Sequence, residues 1–141
     1  MRMLVVLVAA CNYYAPGAFA DDEGAFAGAR ATVGCIDVAV SLSYDRHGVG
    51  PVVGFDFGNR CSHEVLVDFT SVRVFAERLG VRWQLQPYDP QSEIEPTYLD
   101  RAQVGHEKIL YPERGAFDRV CVDLGAVGGD AAAKRWVCIA A

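Results

Sequence analysis

From Ile36 to Tyr44 the chain alternates without a break. Ile36, Val38, Val40, Leu42 and Tyr44 fall on one parity, and Asp37, Ala39, Ser41 and Ser43 on the other. A period of two over nine residues is the pattern of a half-buried strand rather than a helix. The pattern returns along the chain. Val53, Phe55 and Phe57 alternate with Gly54, Asp56 and Gly58, ending in the turn-like Asn59-Arg60-Cys61-Ser62, and Val65, Val67 and Phe69 alternate with Asp68 and Thr70. Residues 70 to 80 carry two periods at once. Val72, Phe75, Ala76 and Leu79 keep helical spacing with Gly80 placed as a cap, while Val72, Val74 and Ala76 alternate with Arg73, Phe75 and Glu77. The alternation favours a strand from about Val72.

Trp83 and Leu85 mark a further short strand, and others are expected near Thr97 to Arg101, Glu107 to Tyr111, Phe117 to Leu124 and Arg135 to Ala140. Between them, Pro87, Pro90 and Pro96 punctuate a ten-residue stretch that no central strand tolerates, so residues 87–96 are read as a long connecting loop. Seven to nine short strands with turn signals about every ten residues suit an all-β fold: a two-sheet antiparallel sandwich of immunoglobulin-like type, with a small β-barrel as the alternative. A βαβ fold lacks its helices.

Five cysteines are spread over 141 residues, an odd number that divides unevenly along the chain. If the last two strands form a hairpin centred on Gly129 and Asp130, cross-strand partners have residue numbers with a constant sum. Cys121 then faces Cys138, while Val122 faces Val137 and Val120 faces Ile139 on the opposite side. Opposed strand positions lie within disulfide reach. Cys35 and Cys61 remain, and their bond would tie the first strand to the turn after the second. Each closure is worth about 3 kcal/mol in the loop-entropy model. Zinc is disfavoured as the cysteines' role, because no C-x-x-C pair occurs and the nearest histidine, His63, stands two residues from Cys61.

The fifth cysteine sits in a different setting. Met1, Arg2 and Met3 lead into the apolar run Leu4 to Ala10, which stops at Cys11. The run is far short of the roughly 20 apolar residues a membrane-crossing helix requires, and it has the order of a secretory signal. Val8-Ala9-Ala10-Cys11 resembles the lipobox of bacterial lipoproteins, in which the cysteine is lipidated on sulfur and becomes the new amino terminus. The signal holds one arginine and is shorter than usual, which a start codon further upstream would explain. A competing cleavage site, Ala18-Phe19-Ala20 before Asp21, would export the chain without an anchor. From Cys11 to Gly34 the composition turns to alanine and glycine, and Gly-Ala-Phe-Ala occurs twice, at 17–20 and 24–27. A flexible tether of that length spans roughly 25 Å. The expected organisation is therefore a signal peptide at 1–10, a lipidated Cys11 with a tether at 11–34, and a β-sandwich domain at 35–141. The overall plan resembles small bacterial lipoproteins. The resemblance implies a cell-envelope location, anchored on the extracytoplasmic side or else secreted or periplasmic, and it implies no activity.

The chemistry-bearing residues form no catalytic pattern. His47, His63 and His106 are the histidines, each beside turn or glycine residues, and no G-x-S-x-G elbow exposes a serine. Both methionines, Met1 and Met3, lie in the signal, which argues against thioether copper sites. Asp89, Glu93 and Glu95 lack the D-x-D-x-D-G spacing of a calcium loop. A glycosidase-like pair such as Glu93 and Glu107 is no more than 18 acids supply by chance. A formal charge of -5 leaves no phosphate-neutralising surface, so nucleic acid is excluded as a partner. Eleven arginines against two lysines define no anion pocket, with Arg73, Arg78 and Arg82 scattered. No enzyme and no cofactor is expected. The expected partners are the membrane, through the lipid anchor, and an envelope protein or ligand met by the 87–96 loop, where Tyr88, Asp89, Glu93, Glu95 and nearby Tyr98 would supply contacts. The alternative is an envelope hydrolase or metal-binding protein using His63, His106 and nearby acids.

Overall fold

In the computed structural model the alternating segments become strands, and the structure describes residues 26, 28–125, 127–128 and 135–141. The strands are β1 (Ala29–Val33), β2 (Ile36–Tyr44), β3 (Pro51–Asn59), β4 (Val65–Val67), β5 (Arg73–Arg78), β6 (Val81–Leu85), β7 (Thr97–Leu99), β8 (Val104–Leu110), β9 (Arg119–Asp123) and β10 (Trp136–Ala140). They form two four-stranded antiparallel sheets, ordered β1-β2-β3-β8 and β10-β9-β5-β6, with β4 and β7 as a separate pair. This is the two-sheet sandwich expected from the alternation, and the sheets do not close into a barrel. The signal at 1–10, Cys11, the cleavage site after Ala20 and most of the tether lie outside the described residues.

The inward parity of each strand builds one core. Val38, Val40, Val53 and Phe55 of the first sheet join Val74, Ala76, Val120 and Val122 of the second, all essentially sealed from solvent. Burying each valine or phenylalanine side chain is worth about 1.5–3 kcal/mol, so this face dominates the stability of the fold. One expected strand residue works differently. The alternation Val65, Val67, Phe69 stops pairing at Val67, because the Asp68 carboxylate accepts hydrogen bonds from the Thr70 N–H and the Ser71 hydroxyl and caps a short 3-10 turn over 69–71. The turn drives the Phe69 ring between the rings of Phe55 and Phe57, at centroid distances of 4.8 and 5.0 Å. Burial alone would raise the Asp68 carboxyl, but the bonds from Thr70 and Ser71 outweigh it and hold it below the usual carboxylate range.

The domain starts earlier than expected. A boundary at residue 35, with tether through 34, is corrected by β1, which pairs along its whole length with β2 from Ala29↔Val40 to Val33↔Ile36. Gly34 and Cys35 make the connecting two-residue turn, with Gly34 at φ 60, the conformation a tight hairpin requires at that position. Ala31 and Val33 enter the core, and Phe26 of the second Gly-Ala-Phe-Ala is buried. Alanine has little strand preference, so β1 carries no compositional signal. Its arrival alters the outer face of β2, where Asp37 and Ala39 are buried rather than solvated. Asp37 accepts hydrogen bonds from the Thr32 hydroxyl at 2.8 Å and from Arg60 Nε at 2.7 Å, the pairing a buried carboxylate needs.

Both disulfides close in the expected pairs. Cys35–Cys61 and Cys121–Cys138 have Cα separations of 5.2 and 4.1 Å. The β9–β10 register places Val122 against Val137 and Val120 against Ile139, as the constant sum requires. On the same outer face as Cys121, the Arg82 guanidinium lies over the Trp136 ring at 4.9 Å, and Trp136 meets Phe75 at 5.3 Å. Arg82 and Arg119 both bond Glu77, holding its carboxyl below the usual range, and Arg73 bonds Asp123. Two of the arginines that looked scattered in sequence, Arg73 and Arg82, thus meet carboxylates across one sheet face.

The β5–β6 hairpin turns on Leu79 and Gly80, at φ 50 and 79. Two successive positive φ values mark the tight hairpin turn that prefers Asn-Gly. Leu79 gains nothing from this position, being 86% exposed. Leu79→Asn is expected to stabilise the protein by about 0.5–1 kcal/mol, because asparagine tolerates the left-handed region that leucine occupies at a cost. Urea denaturation of the two proteins side by side checks it, and an unchanged or lower midpoint would count against this reading of the turn.

Candidate functional site

On one side of the sandwich the edge strands β6 and β8 leave a gap, and the proline-rich 87–96 loop crosses it. The Tyr88 N–H donates to the Leu110 carbonyl at 2.8 Å, fastening the start of the loop to β8. Asp89 organises the rest. Its carboxylate accepts from the Glu93 N–H at 2.7 Å and the Ile94 N–H at 3.2 Å, and its carbonyl accepts from the Ser92 N–H. Three prolines lack N–H donors, so side-chain capping of this kind supplies hydrogen bonds that a strand ladder would otherwise make. The capped turn points Ile94 inward, where it packs against the core.

The expected contact residues divide accordingly. Tyr88 and Tyr98 are 60% and 66% exposed, and Glu93 and Glu95 are exposed as well. Asp89 is only half-exposed, and both its carboxylate oxygens are committed to the loop's own backbone. It is a shaping residue of the loop rather than a free contact. Tyr98 stands on β7, opposite Leu66 of β4.

Beneath the loop lies a cavity of about 210 Å³ whose apolar lining is Phe69, Val72, Leu85, Ile94, Ile109 and Tyr111. Thr70, Gln84, Gln86 and Asp89 contribute to it as well. Phe69 and Ile94 also line a second hollow of about 180 Å³ with Phe57, Leu99 and His106, so a single loop side chain stands between two spaces. Tyr111 is 2% exposed. Its hydroxyl has no hydrogen-bond partner among the described residues, where every fully enclosed side-chain oxygen and nitrogen is partnered. The hydroxyl therefore meets open space, and the cavity is the space that Tyr111 lines. Burial pushes the phenol far above its ordinary value, so it stays protonated.

The histidines occupy separate elements. His47 is in the β2–β3 turn, His63 in the exposed turn after Cys61, and His106 on β8, where its Nδ1 bonds the Asp56 carboxylate across the β3–β8 pair. Among the described residues no group of three histidine, cysteine, aspartate or glutamate side chains converges on a common point suited to a metal. Likewise no helix among them is long and apolar enough to cross a membrane. Elsewhere the Glu113 carboxylate accepts from the Gly115 N–H at 2.7 Å and from Trp83 Nε1 at 2.7 Å, which hold it below the usual range.

Sequence reasoning reached the loop but not the cavity. Phe69, Ile109 and Tyr111 fell within expected strands, and Ile94 within the expected loop. A signal was present in Ile94 itself, the sole aliphatic side chain between Pro87 and Pro96, since an isolated apolar residue in a capped loop is a candidate anchor.

No protein-family model matches the chain, and none of the curated proteins matches it significantly. Among solved structures, a Bacillus subtilis strain 168 protein described as a "putative lipoprotein (ycdA)" is similar, with a TM-score of 0.52 at 12% sequence identity. The likeness covers 81% of this chain and 39% of that one, so this chain spans well under half the length of the protein it matches. At that identity the likeness is one of fold: a β fold of this plan also occurs within a larger chain.

Proposed function

We propose that this protein is an exported lipoprotein of the cell envelope, anchored through Cys11 on the extracytoplasmic side, whose sandwich serves as a non-enzymatic binding module presenting the 87–96 loop. The observation that carries this reading is the division of the five cysteines. Four close two disulfides inside the fold, a chemistry that suits oxidising compartments and is rare in the cytosol. The fifth follows Val8-Ala9-Ala10 at the end of an apolar run, where the lipobox resemblance gives it an anchoring role. The fold likeness to a protein described as a putative lipoprotein agrees with this reading. For the binding part, the support is a rigid scaffold holding a shaped loop with two exposed tyrosines, the arrangement in which loops carry recognition.

Membrane fractionation of the native host tests the anchor. The natural protein is expected in the membrane fraction, and Cys11→Ser in the precursor or soluble extracytoplasmic fraction. One acyl chain binds only marginally, so stable anchoring depends on the multiple chains a lipidated amino-terminal cysteine carries. Unchanged membrane retention of Cys11→Ser would overturn the reading.

A further inference from the structure

We infer that the cavity beneath the 87–96 loop is a binding site for a small, uncharged molecule, about one aromatic ring in size, carrying one group that accepts a hydrogen bond from Tyr111 Oη. The inference rests on the reading of the domain as a binding module and names what the module takes.

Three observations define the ligand. The first is size. A cavity of about 210 Å³ is smaller than the roughly 300–1,000 Å³ of sites for drug-sized ligands, yet larger than the roughly 150 Å³ apolar cavity that accepts benzene. A single ring with one substituent fits, and a fused polycycle or long acyl chain does not. The second is the hydroxyl. A buried tyrosine normally finds a partner for its O–H. Tyr111 is 2% exposed and lines the cavity, and its hydroxyl bonds nothing among the described residues, so the O–H opens on the cavity rather than on a protein acceptor. The protonated O–H is a donor waiting for an acceptor.

The third observation is charge. The charged residues lining the cavity are Arg73 and Asp89, and both are already satisfied. Arg73 pairs with Asp123 at 2.7 Å, and Asp89 caps the backbone of its own loop. A charged ligand entering among Phe69, Val72, Leu85 and Ile109 would find no free counter-charge, and an unpaired buried ion is strongly disfavoured. Ile94 packs on the core and lines the cavity, anchoring the loop across the gap.

The test is a two-dimensional amide NMR titration of the full mature chain with p-cresol, toluene and benzoate. Saturable shifts are expected for the amides of Phe69, Leu85 and Ile109 with p-cresol and toluene. Benzoate should bind at least about tenfold more weakly than p-cresol, as burying an unpaired charge requires. Tyr111→Phe should weaken p-cresol about fivefold to tenfold, the equivalent of one net hydrogen bond, and leave toluene within about twofold. Leu85→Trp, which fills the space, should abolish both, its fold checked by retention of the remaining amide spectrum. The inference is overturned if no probe produces saturable shifts there, or if Tyr111→Phe leaves p-cresol affinity unchanged. Either result would leave the membrane fractionation of Cys11→Ser untouched, so failure of the ligand and failure of the anchored-module reading are distinguishable.

Discussion

Replacing Asn59 with leucine should destabilise the protein by about 4 kcal/mol, a large share of the 5–15 kcal/mol typical of a domain. Asn59 is fully buried. Its side-chain amide donates to the carbonyls of His63 at 3.0 Å, Leu99 at 3.0 Å and Asp100 at 3.1 Å, while its carbonyl accepts from the Cys61 N–H at 2.8 Å. Those four partners belong to two segments, the turn after β3 and the end of β7 with its following turn. Leucine has nearly the same volume, so the loss is polar rather than steric: three carbonyls and one N–H lose their partner. Asn59→Asp should fare no better, because a carboxylate can still accept from Cys61 but faces three carbonyls with no donor. Exposed Gln91→Ala, by contrast, should stay within about 0.5 kcal/mol. Urea denaturation followed by fluorescence of Trp83 and Trp136 measures all three, and a loss under about 1 kcal/mol for Asn59→Leu would refute the role given to this side chain.

Removing both disulfides should cost about 6–7 kcal/mol and leave the chain largely unfolded near body temperature. The estimate follows from the loops they close, with sequence separations of 26 and 17; the loop-entropy relation gives about 3.5 and 3 kcal/mol for closures of those lengths. The two bonds do different things. Cys121–Cys138 reinforces a hairpin that the β9–β10 ladder already holds. Cys35–Cys61 ties the β1–β2 turn to the turn that Asn59 organises, adding to the Arg60 N–H bond to the Cys35 carbonyl at 2.9 Å. Replacing Cys35 and Cys61 with alanine should therefore weaken Asn59→Leu further than a simple sum, since the two act on one turn. Thermal unfolding with and without reductant gives the total, and a reduced protein keeping its midpoint within a few degrees would contradict it. A fold this dependent on oxidation reaches full stability only in an oxidising compartment.

The parts of this structure that were legible in the sequence are those with short-range causes. Alternation placed β2, β3 and β5, prolines excluded strand from 87–96, and two cysteines with two apolar pairs fixed the β9–β10 register. The parts that were not legible depend on distant partners or on weak residues. β1 is built from alanine, arginine and threonine with one valine, and it is a strand because β2 offers a ladder. Leu79-Gly80 supplied the glycine of a hairpin turn, but leucine at positive φ hid it. Asn59 looked like a turn residue, which it is. Two of its three acceptors, Leu99 and Asp100, lie about forty residues on, beyond any local pattern. Tyr111 ended an expected strand, and only the structure shows its hydroxyl without a partner among the described residues.

The intact mass of the protein isolated from native membranes reads directly whether the five cysteines divide into one anchor and two bonds. The predicted result is a chain beginning at Cys11 that carries acyl mass on its first residue, gains the mass of four hydrogens on reduction, and then exposes the thiols of Cys35, Cys61, Cys121 and Cys138. A mature chain beginning at Asp21, a retained Met1, or four thiols free before reduction would contradict it.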